Sequence, residues 1–289
     1  MRVYINGQFY PEAEAKIPVF DHGHLYGDGV FEGIRVYNSR IWKGVEHVER
    51  LYRSAHHFLI TIPHTQAEFL DKIRETVRTN ELSNAYVRVT ITRGNALGLD
   101  PRNVTSGANV IIIASALALY PESAYTHGLE VVTVSLRTPS SDVIDPRIKS
   151  LGRYVNNIMA KFQANMVGAG EGLMLNTQGY VAEATGDNVF VIHKGRLLTP
   201  PASCGILEGI TREVAMELAR EEGIPVEERL MTLYDLYNAD EAFLTGTAAE
   251  MIPMVKLDDR AIGTGKPGPI TEHLIRRFRA RTQEEGVPV

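Results

Sequence analysis

Glu183-Ala184-Thr185-Gly186-Asp187-Asn188-Val189-Phe190 carries a polar run directly into an apolar one. The apolar run predicts a strand over Asn188–Ile192, with further strands at Gly172–Leu175 before it and Arg196–Thr199 after it. Beyond these, the pattern predicts a helix near Gly209–Glu222, strands at Val226–Arg229 and Glu241–Leu244, and a last helix over Pro269–Arg281. Upstream lies a helix near Arg153–Val167. Strands and helices therefore alternate through this half of the chain, as in a mixed α and β architecture. Taken alone, Glu183 reads as a solvated strand end, and a bare Glu-x-Thr carries no information.

The first 120 residues are richer in strands. Asn6-Gly7 between Val3-Tyr4-Ile5 and Phe9-Tyr10 is a two-residue hairpin signal, because both positions tolerate positive φ. Val30–Tyr37 predicts a second strand, and Asn38-Ser39 turns it toward Ile41-Trp42. In a helix over Val45–Leu59, the residues Val48, Leu51, Ala55, Phe58 and Leu59 share one face. Arg50 falls well off that stripe, which on periodicity alone places it in solvent. A helix over Gln66–Thr79 and strands at Ala85–Arg93 and Asn109–Ala116 follow, separated by the Gly/Asn/Pro-punctuated loop Gly94–Pro101. The pattern breaks at Pro121-Glu122-Ser123 and restarts in a strand over Leu129–Leu136. The expected organisation is a smaller N-terminal α/β domain (1–120), a linker (121–128) and a larger C-terminal domain (129–289).

Composition excludes several classes. The 289 residues are 44% hydrophobic and 22% charged, which suits an ordinary globular protein of about two domains. Thirty Lys+Arg against 35 Asp+Glu give a formal charge of −5, with no basic excess to mark a nucleic-acid binder. The single cysteine, Cys204, cannot form an internal disulfide and favours a reducing compartment. The start of the chain has no apolar signal region. The longest apolar stretch, Val110–Tyr120, is shorter than the ~20 residues that span a bilayer. These readings point to a cytoplasmic protein that binds neither membrane nor nucleic acid.

Three tempting features are set aside. Gly263-Thr264-Gly265-Lys266-Pro267-Gly268 lacks the spacing and the Ser/Thr of a phosphate loop and reads as a turn. His22 and His24 have no further ligand at zinc spacing, so no metal is expected. Cys204 has no recognisable base beside it and reads as a buried bystander.

Lysine is scarce, at eight of the 30 basic residues. Lys149, in Asp145-Pro146-Arg147-Ile148-Lys149-Ser150-Leu151-Gly152, sits in an extended segment between a strand and an amphipathic helix. A side chain there can reach a cleft, although a lone loop lysine is ordinarily solvated. Several segments read together change that weighting. They are Glu183–Phe190, Leu197-Leu198-Thr199, Leu207-Glu208-Gly209-Ile210-Thr211-Arg212, Tyr26–Gly33, Glu49-Arg50-Leu51, Lys149-Ser150-Leu151 with Tyr154, and Thr245–Glu250. Together they resemble the class IV aminotransferases, the fold-type IV pyridoxal-phosphate enzymes, over nearly the whole chain.

The resemblance implies an α+β fold of two mixed α/β domains, with pyridoxal 5'-phosphate in the cleft between them. It also implies that Lys149 holds the cofactor aldehyde as an imine and then shuttles a proton. Glu183 matches the carboxylate facing the pyridine nitrogen, and Tyr154 the tyrosine bonded to the phenolic oxygen. Arg50 matches a phosphate-binding arginine. Phosphate is also expected at Gly209, Ile210 and Thr211, where a helix start offers unpaired N–H groups, and at Thr247.

Tyr26–Gly33, continuing as Ile34-Arg35-Val36-Tyr37, is most similar to the branched-chain amino acid group. Phe31 and Gly33 would then help line an apolar side-chain pocket, and Tyr26 is a further substrate-binding candidate. Tyr86 and Arg88 match carboxylate-contacting positions, and the Thr247 and Ala248 amides would receive the α-carboxylate. The group's pattern departs at Gly152-Arg153. The implied reaction is ping-pong transamination of L-Leu, L-Ile or L-Val with 2-oxoglutarate. The Arg93–Pro101 loop implies a homodimer or a larger homo-oligomer. A D-amino acid or (R)-amine transaminase, an aminodeoxychorismate-type lyase and a non-catalytic relative share the fold and stay open. The D-specific Arg-x-His pair is not found in the Arg93–Pro101 loop.

Overall fold

The computed structural model describes residues 1–116 and 120–289. The end of the Val110–Tyr120 stretch, where the sequence pattern closes the first domain, therefore falls partly outside the described residues. The chain divides into two compact units. The first comprises Met1–Leu117, Ile148–Tyr154 and Thr282–Val289, and the second comprises Ala118–Arg147 and Val155–Arg281. The boundaries expected from sequence instead keep all of 129–289 in one domain. Residues 121–128, expected as a linker, carry a short helix over Glu122–His127. Among the described residues, no helix is long and apolar enough to cross a membrane.

The first unit opens with the hairpin β1 (Arg2–Ile5) and β2 (Gln8–Pro11), closed by Asn6 and Gly7 at φ 48° and 96°. A short helix α1 (His22–Tyr26) leads into β3 (Gly29–Tyr37), which Asn38 and Ser39 turn into β4 (Arg40–Ile41). The helices α2 (Gly44–His57) and α3 (Gln66–Thr79) follow. The strands β5 (Ala85–Thr92) and β6 (Asn109–Ser115) complete this stretch. The described residues of the unit form a seven-stranded sheet in the order Val287–Pro288, β4, β3, β5, β6, β1, β2.

Period-two alternation gives this sheet two different faces. Val30, Ile34, Val36, Val87, Val89, Ile91, Ile112 and Ala114 join Val48, Leu51, Phe69 and Ile73 of the helices in one core. The register pairs Phe31 with Thr90, Gly33 with Arg88 and Arg35 with Tyr86, so these residues share the opposite face.

The second unit contains α4 (Glu122–His127), β7 (Leu129–Arg137), α5 (Tyr154–Met166, less its first residue), β8 (Glu171–Leu175) and β9 (Val181–Ala184). Then come β10 (Asn188–His193), β11 (Arg196–Thr199), α6 (Ile210–Glu221) and β12 (Val226–Glu228). The unit ends with α7 (Leu233–Tyr237), β13 (Glu241–Gly246), β14 (Glu250–Leu257), β15 (Arg260–Ala261) and α8 (Pro269–Glu284), whose last turn belongs to the first unit. Its sheet runs β12, β11, β10, β13, β14, β7, β8, β9, and β9 pairs back onto β10 at the single residue pair Glu183 and Asn188.

β7 and β8 are parallel neighbours, so a crossover must join them, and that crossover contains both the Lys149 segment and α5. α6 is the crossover between the parallel strands β11 and β12.

Sequence periodicity does not reveal α1, α4, α7, β9, β14 or β15. For β14 the reason is Pro253, which argues against a central strand. The structure accommodates it because β7 pairs with β14 only from Met254 onward, beside a bulge between Met254 and Lys256.

Candidate functional site

In the first unit, the chain around Lys149 is held as an extra piece of strand against β3. Phe31 N donates to Lys149 O at 3.0 Å, Leu151 N to Gly29 O at 2.9 Å, and Gly152 N to Gly27 O at 3.1 Å. Val30 and Ser150 form an antiparallel bridge. Gly27 has φ +69°, and a Cβ there would lie 2.8 Å from Gly152 Cα, so only glycine allows this approach.

With its backbone fixed, half-buried Lys149 donates from Nζ to the Tyr154 hydroxyl at 2.9 Å. The same Nζ lies 4.7 Å from the Phe31 ring centroid, and Phe31 meets Tyr154 edge-on at 4.7 Å. The Arg88 guanidinium also stacks over the Phe31 ring, 3.6 Å from its centroid, so both cations share this one aromatic. A Cβ on Gly33 would run into the Tyr86 hydroxyl. Burial pushes the Tyr86 hydroxyl up, offset in part by the neighbouring Arg88 charge. Burial likewise lowers Arg88, and Tyr86 counters it. Lys149, Tyr154, Phe31, Gly33, Tyr86 and Arg88 thus form one connected group. Tyr26 is directed elsewhere: its hydroxyl accepts from Gly98 N at 3.2 Å, and its ring edges His22.

Arg50 is not in solvent. It is 4% exposed, and Nε and Nη2 donate to the two Glu32 carboxylate oxygens at 2.7 and 2.9 Å. His47 Nδ1 lies 2.7 Å from Glu32 Oε2. Burial pushes the Glu32 carboxyl up, but the Arg50 and His47 charges beside it win and hold it below the usual carboxylate range. Burial lowers His47, and Glu32 offsets this only in part. The polar face of α2 is therefore a buried ion-pair surface against β3. No periodicity argument foresees this, because Glu32 and Arg50 lie 18 residues apart.

In the second unit, the ring closure of the sheet sets Glu183. Its Oε2 accepts from Leu207 N at 2.8 Å and from Asn188 Nδ2 at 3.3 Å, and Asn188 Nδ2 also donates to Leu207 O at 2.9 Å. Asn188 is not among the candidates drawn from the sequence, although it stands in the quoted motif. Two residues past Leu207, Gly209 caps α6 with no side-chain hydrogen bond, and Thr211 in the first turn is buried. The first N–H groups of this 12-residue helix are thus available to an anion. Asn188 pairs across the sheet with Thr245, whose buried hydroxyl has no hydrogen-bond partner. Thr247 and Ala248, both half-buried, occupy the turn that follows β13. Glu183, Leu207, Gly209 and Thr245 therefore converge about Asn188.

Thr185 has a different task. Its hydroxyl and backbone N–H both donate to Glu171 Oε1, whose other oxygen takes Lys161 Nζ at 2.9 Å and the Tyr120 hydroxyl at 3.1 Å. This carboxylate is fully satisfied and serves the fold. Cys204 is buried, and burial pushes its thiol up. Among the described residues, no group of three His, Cys, Asp or Glu side chains could hold a metal ion.

Residues 29–257 match the family model of amino-transferase class IV. A putative branched-chain-amino-acid aminotransferase of Methanocaldococcus jannaschii is 46% identical over 290 residues, covering 100% of this chain and 99% of its own. The branched-chain-amino-acid aminotransferase of Pseudomonas aeruginosa is 37% identical over 96% of this chain and 91% of its own. Among solved structures, the Escherichia coli branched-chain amino acid aminotransferase superposes with TM-score 0.94 at 32% identity, covering 99% of this chain and 95% of that one. The Thermobaculum terrenum branched-chain amino acid aminotransferase in its PLP form gives 0.87 at 32% identity, with 98% and 94% covered. On its sequence and its fold-type IV architecture alike, this chain belongs to the class IV aminotransferases.

Proposed function

We propose that this aminotransferase exchanges the amino group of L-leucine, L-isoleucine or L-valine with 2-oxoglutarate, using pyridoxal 5'-phosphate in a ping-pong reaction. The observation that carries the reading is the Lys149 Nζ to Tyr154 hydroxyl bond of 2.9 Å beside Phe31, on a backbone fixed to β3. The residues fit the cofactor. An amine, a buried carboxylate, an uncapped helix start and the unpartnered Thr245 hydroxyl are the donor and acceptor types its aldehyde, ring nitrogen and phosphate require.

When bound, the cofactor supplies an aldehyde carbon and an electron-withdrawing ring. Lys149 holds the aldehyde end and carries the proton leaving the substrate Cα. Tyr154 steadies that amine and takes the cofactor's phenolic oxygen. Glu183, its carboxylate aimed by Leu207 and Asn188, keeps a proton on the ring nitrogen. Arg50, Gly209, Ile210, Thr211 and Thr247 hold the phosphate. Phe31 and Gly33 bound the apolar side chain. Tyr86 and Arg88 receive the side-chain carboxylate of glutamate, and the Thr247 and Ala248 amides its α-carboxylate. The 2-oxo acid of the first substrate leaves before 2-oxoglutarate enters. The same Lys149 serves both halves, in a homodimer or larger homo-oligomer in the cytoplasm.

The test is a donor panel read by the visible absorption of the purified protein. L-leucine is expected to bleach the band, and D-alanine and an (R)-amine to leave it. Bleaching by D-alanine alone would overturn the substrate assignment. Lys149→Ala is expected to lack the lysine-bound absorption and to lose transamination. Normal turnover in that variant ends the proposal.

A further inference from the structure

A cavity of about 410 Å³ lies wholly within the second unit, and no residue given a role in the proposed reaction lines it. That volume is in the range of small-molecule sites. Thr138, Asn176 and Cys204, all buried, form its floor, and Asp145, Arg147 and Gln178 stand at its mouth. Alternation along β9 sets it apart from the Glu183 carboxylate. Ala182 packs with Cys204 and Ile206, while Glu183, next in the strand, accepts from Leu207 N.

The lining offers donors and one pair of opposite charges. Arg147 donates from N, Nε and Nη2 to the Asp145 carboxylate at 2.6 to 3.1 Å, which fixes the guanidinium plane. Its other nitrogen, Nη1, has no acceptor among the described residues. Asn176 Oδ1 accepts from Gln178 N and Tyr180 N at 3.0 Å each. That orients the amide and leaves Nδ2 with no acceptor among the described residues. The Thr138 hydroxyl is buried without a hydrogen-bond partner. Thr138 is 1% and Asn176 8% exposed, so these two groups have little access to bulk water. Burial pushes the Cys204 thiol up, so it adds no negative charge.

We propose that this cavity binds the carboxylate of a small monocarboxylic acid, at a site separate from Lys149. A carboxylate only accepts, and its plane suits a guanidinium edge, so Arg147 Nη1, Asn176 Nδ2 and the Thr138 hydroxyl are its natural partners. Asp145 orients Arg147 and is offset by it. Exposed Glu208 also acts on Arg147, so a phosphate dianion would meet two negative charges with one cation to offset them. A single negative charge is therefore favoured. The two walls run on toward the proposed reaction centre. Arg147 stands two residues before Lys149, and Gly205 two before Leu207, whose N–H meets Glu183. The walls also touch: a Cβ on Gly205 would lie 2.9 Å from Thr138 Oγ1 and 3.6 Å from Pro146 Cγ. A bound acid thus ties together the segments ahead of Lys149 and Leu207, as an effector would. The binding itself does not rest on the transamination proposed above.

The experiment is isothermal titration calorimetry of the cofactor-loaded protein with L-lactate, pyruvate, L-alanine and inorganic phosphate. The three acids differ only at the second carbon, so their ranking identifies a hydroxy, oxo or amino acid as the source of the carboxylate. L-lactate can neither give nor take an amino group at Lys149. It is expected to bind wild type and Arg88→Gln alike, and roughly tenfold or more weakly in Arg147→Gln and Asn176→Asp. Asn176→Asp keeps the oxygen that accepts from Gln178 N and Tyr180 N and replaces only the donor. Thr138→Val is expected to weaken binding without lowering the melting temperature, since its hydroxyl bonds nothing in the protein. Far-ultraviolet circular dichroism checks that each variant is folded. Three outcomes overturn the proposal: no acid binding tighter than about 1 mM, phosphate binding alone, or binding that is lost in Arg88→Gln and kept in both Arg147→Gln and Asn176→Asp. The donor panel above is read by visible absorption, so either proposal can fail without the other.

Discussion

At the scale of single residues, the group around Phe31 makes two sharp predictions. Tyr154→Phe keeps the ring against Phe31 but removes the oxygen that accepts from Lys149 Nζ. A hydrogen bond to a charged group contributes about 1.5–3 kcal/mol, so kcat should fall roughly ten- to hundredfold. Unchanged kcat across the pH profile would remove Tyr154 from the proposed mechanism. Gly33→Ala places a methyl group against the Tyr86 hydroxyl. Loss of about one methylene's space is worth ~1–3 kcal/mol, so kcat/KM should fall at least tenfold for L-leucine and less for L-valine. Equal losses for both donors would take Gly33 out of the side-chain pocket. Which of these residues meet is only partly legible in the sequence. Alternation along β3 and β5 puts Phe31, Gly33, Tyr86 and Arg88 on one face once the register is known. The register itself, and the buried Glu32–Arg50 pair, depend on contacts between distant segments.

At the scale of elements, the strands and helices with strong periodicity are legible: β3, β5 and β6, α2 and α3, and the β10 to α6 run. Short elements and those with unusual residues are not. β14 hides behind Pro253, and α1 is held by Asp21, whose side chain accepts from His24 N, with no apolar repeat to announce it. α5 is legible as a helix, but its orientation is not, because spacing alone sends the larger apolar face inward. The piece of strand around Lys149 is also invisible, since its partner lies over a hundred residues away. Gly27→Ala tests that pairing. The positive φ and the contact with Gly152 should together cost about 1–3 kcal/mol, seen as a lower melting temperature and weaker cofactor retention. A variant with wild-type melting and retention would show that the Gly27 approach is dispensable.

At the scale of the whole molecule, stability should fall on the acid side. The folded protein keeps His47 below its ordinary value of 6.5, so the unfolded chain takes up a proton the folded one refuses. Stability from this source is complete above pH 6.5 and declines below it. Glu32 adds to the decline: its folded carboxyl is depressed, so its contribution is present above its ordinary 4.5 and is lost as the pH drops further. Melting temperature against pH should therefore be flatter between about 5 and 7 in His47→Asn than in wild type, and superimposable slopes would sink the claim.

The order in which the chain visits the two units has a consequence for recombination. The first unit is assembled from three separate stretches, and the middle one, Ile148–Tyr154, carries the lysine. No single crossover between two related genes can exchange one unit and leave the other intact. A chimaera joined near residue 120 inherits its sheet from one parent and the strand that completes it from the other. Grafts of substrate preference between relatives will need that short insert transplanted along with the N-terminal piece.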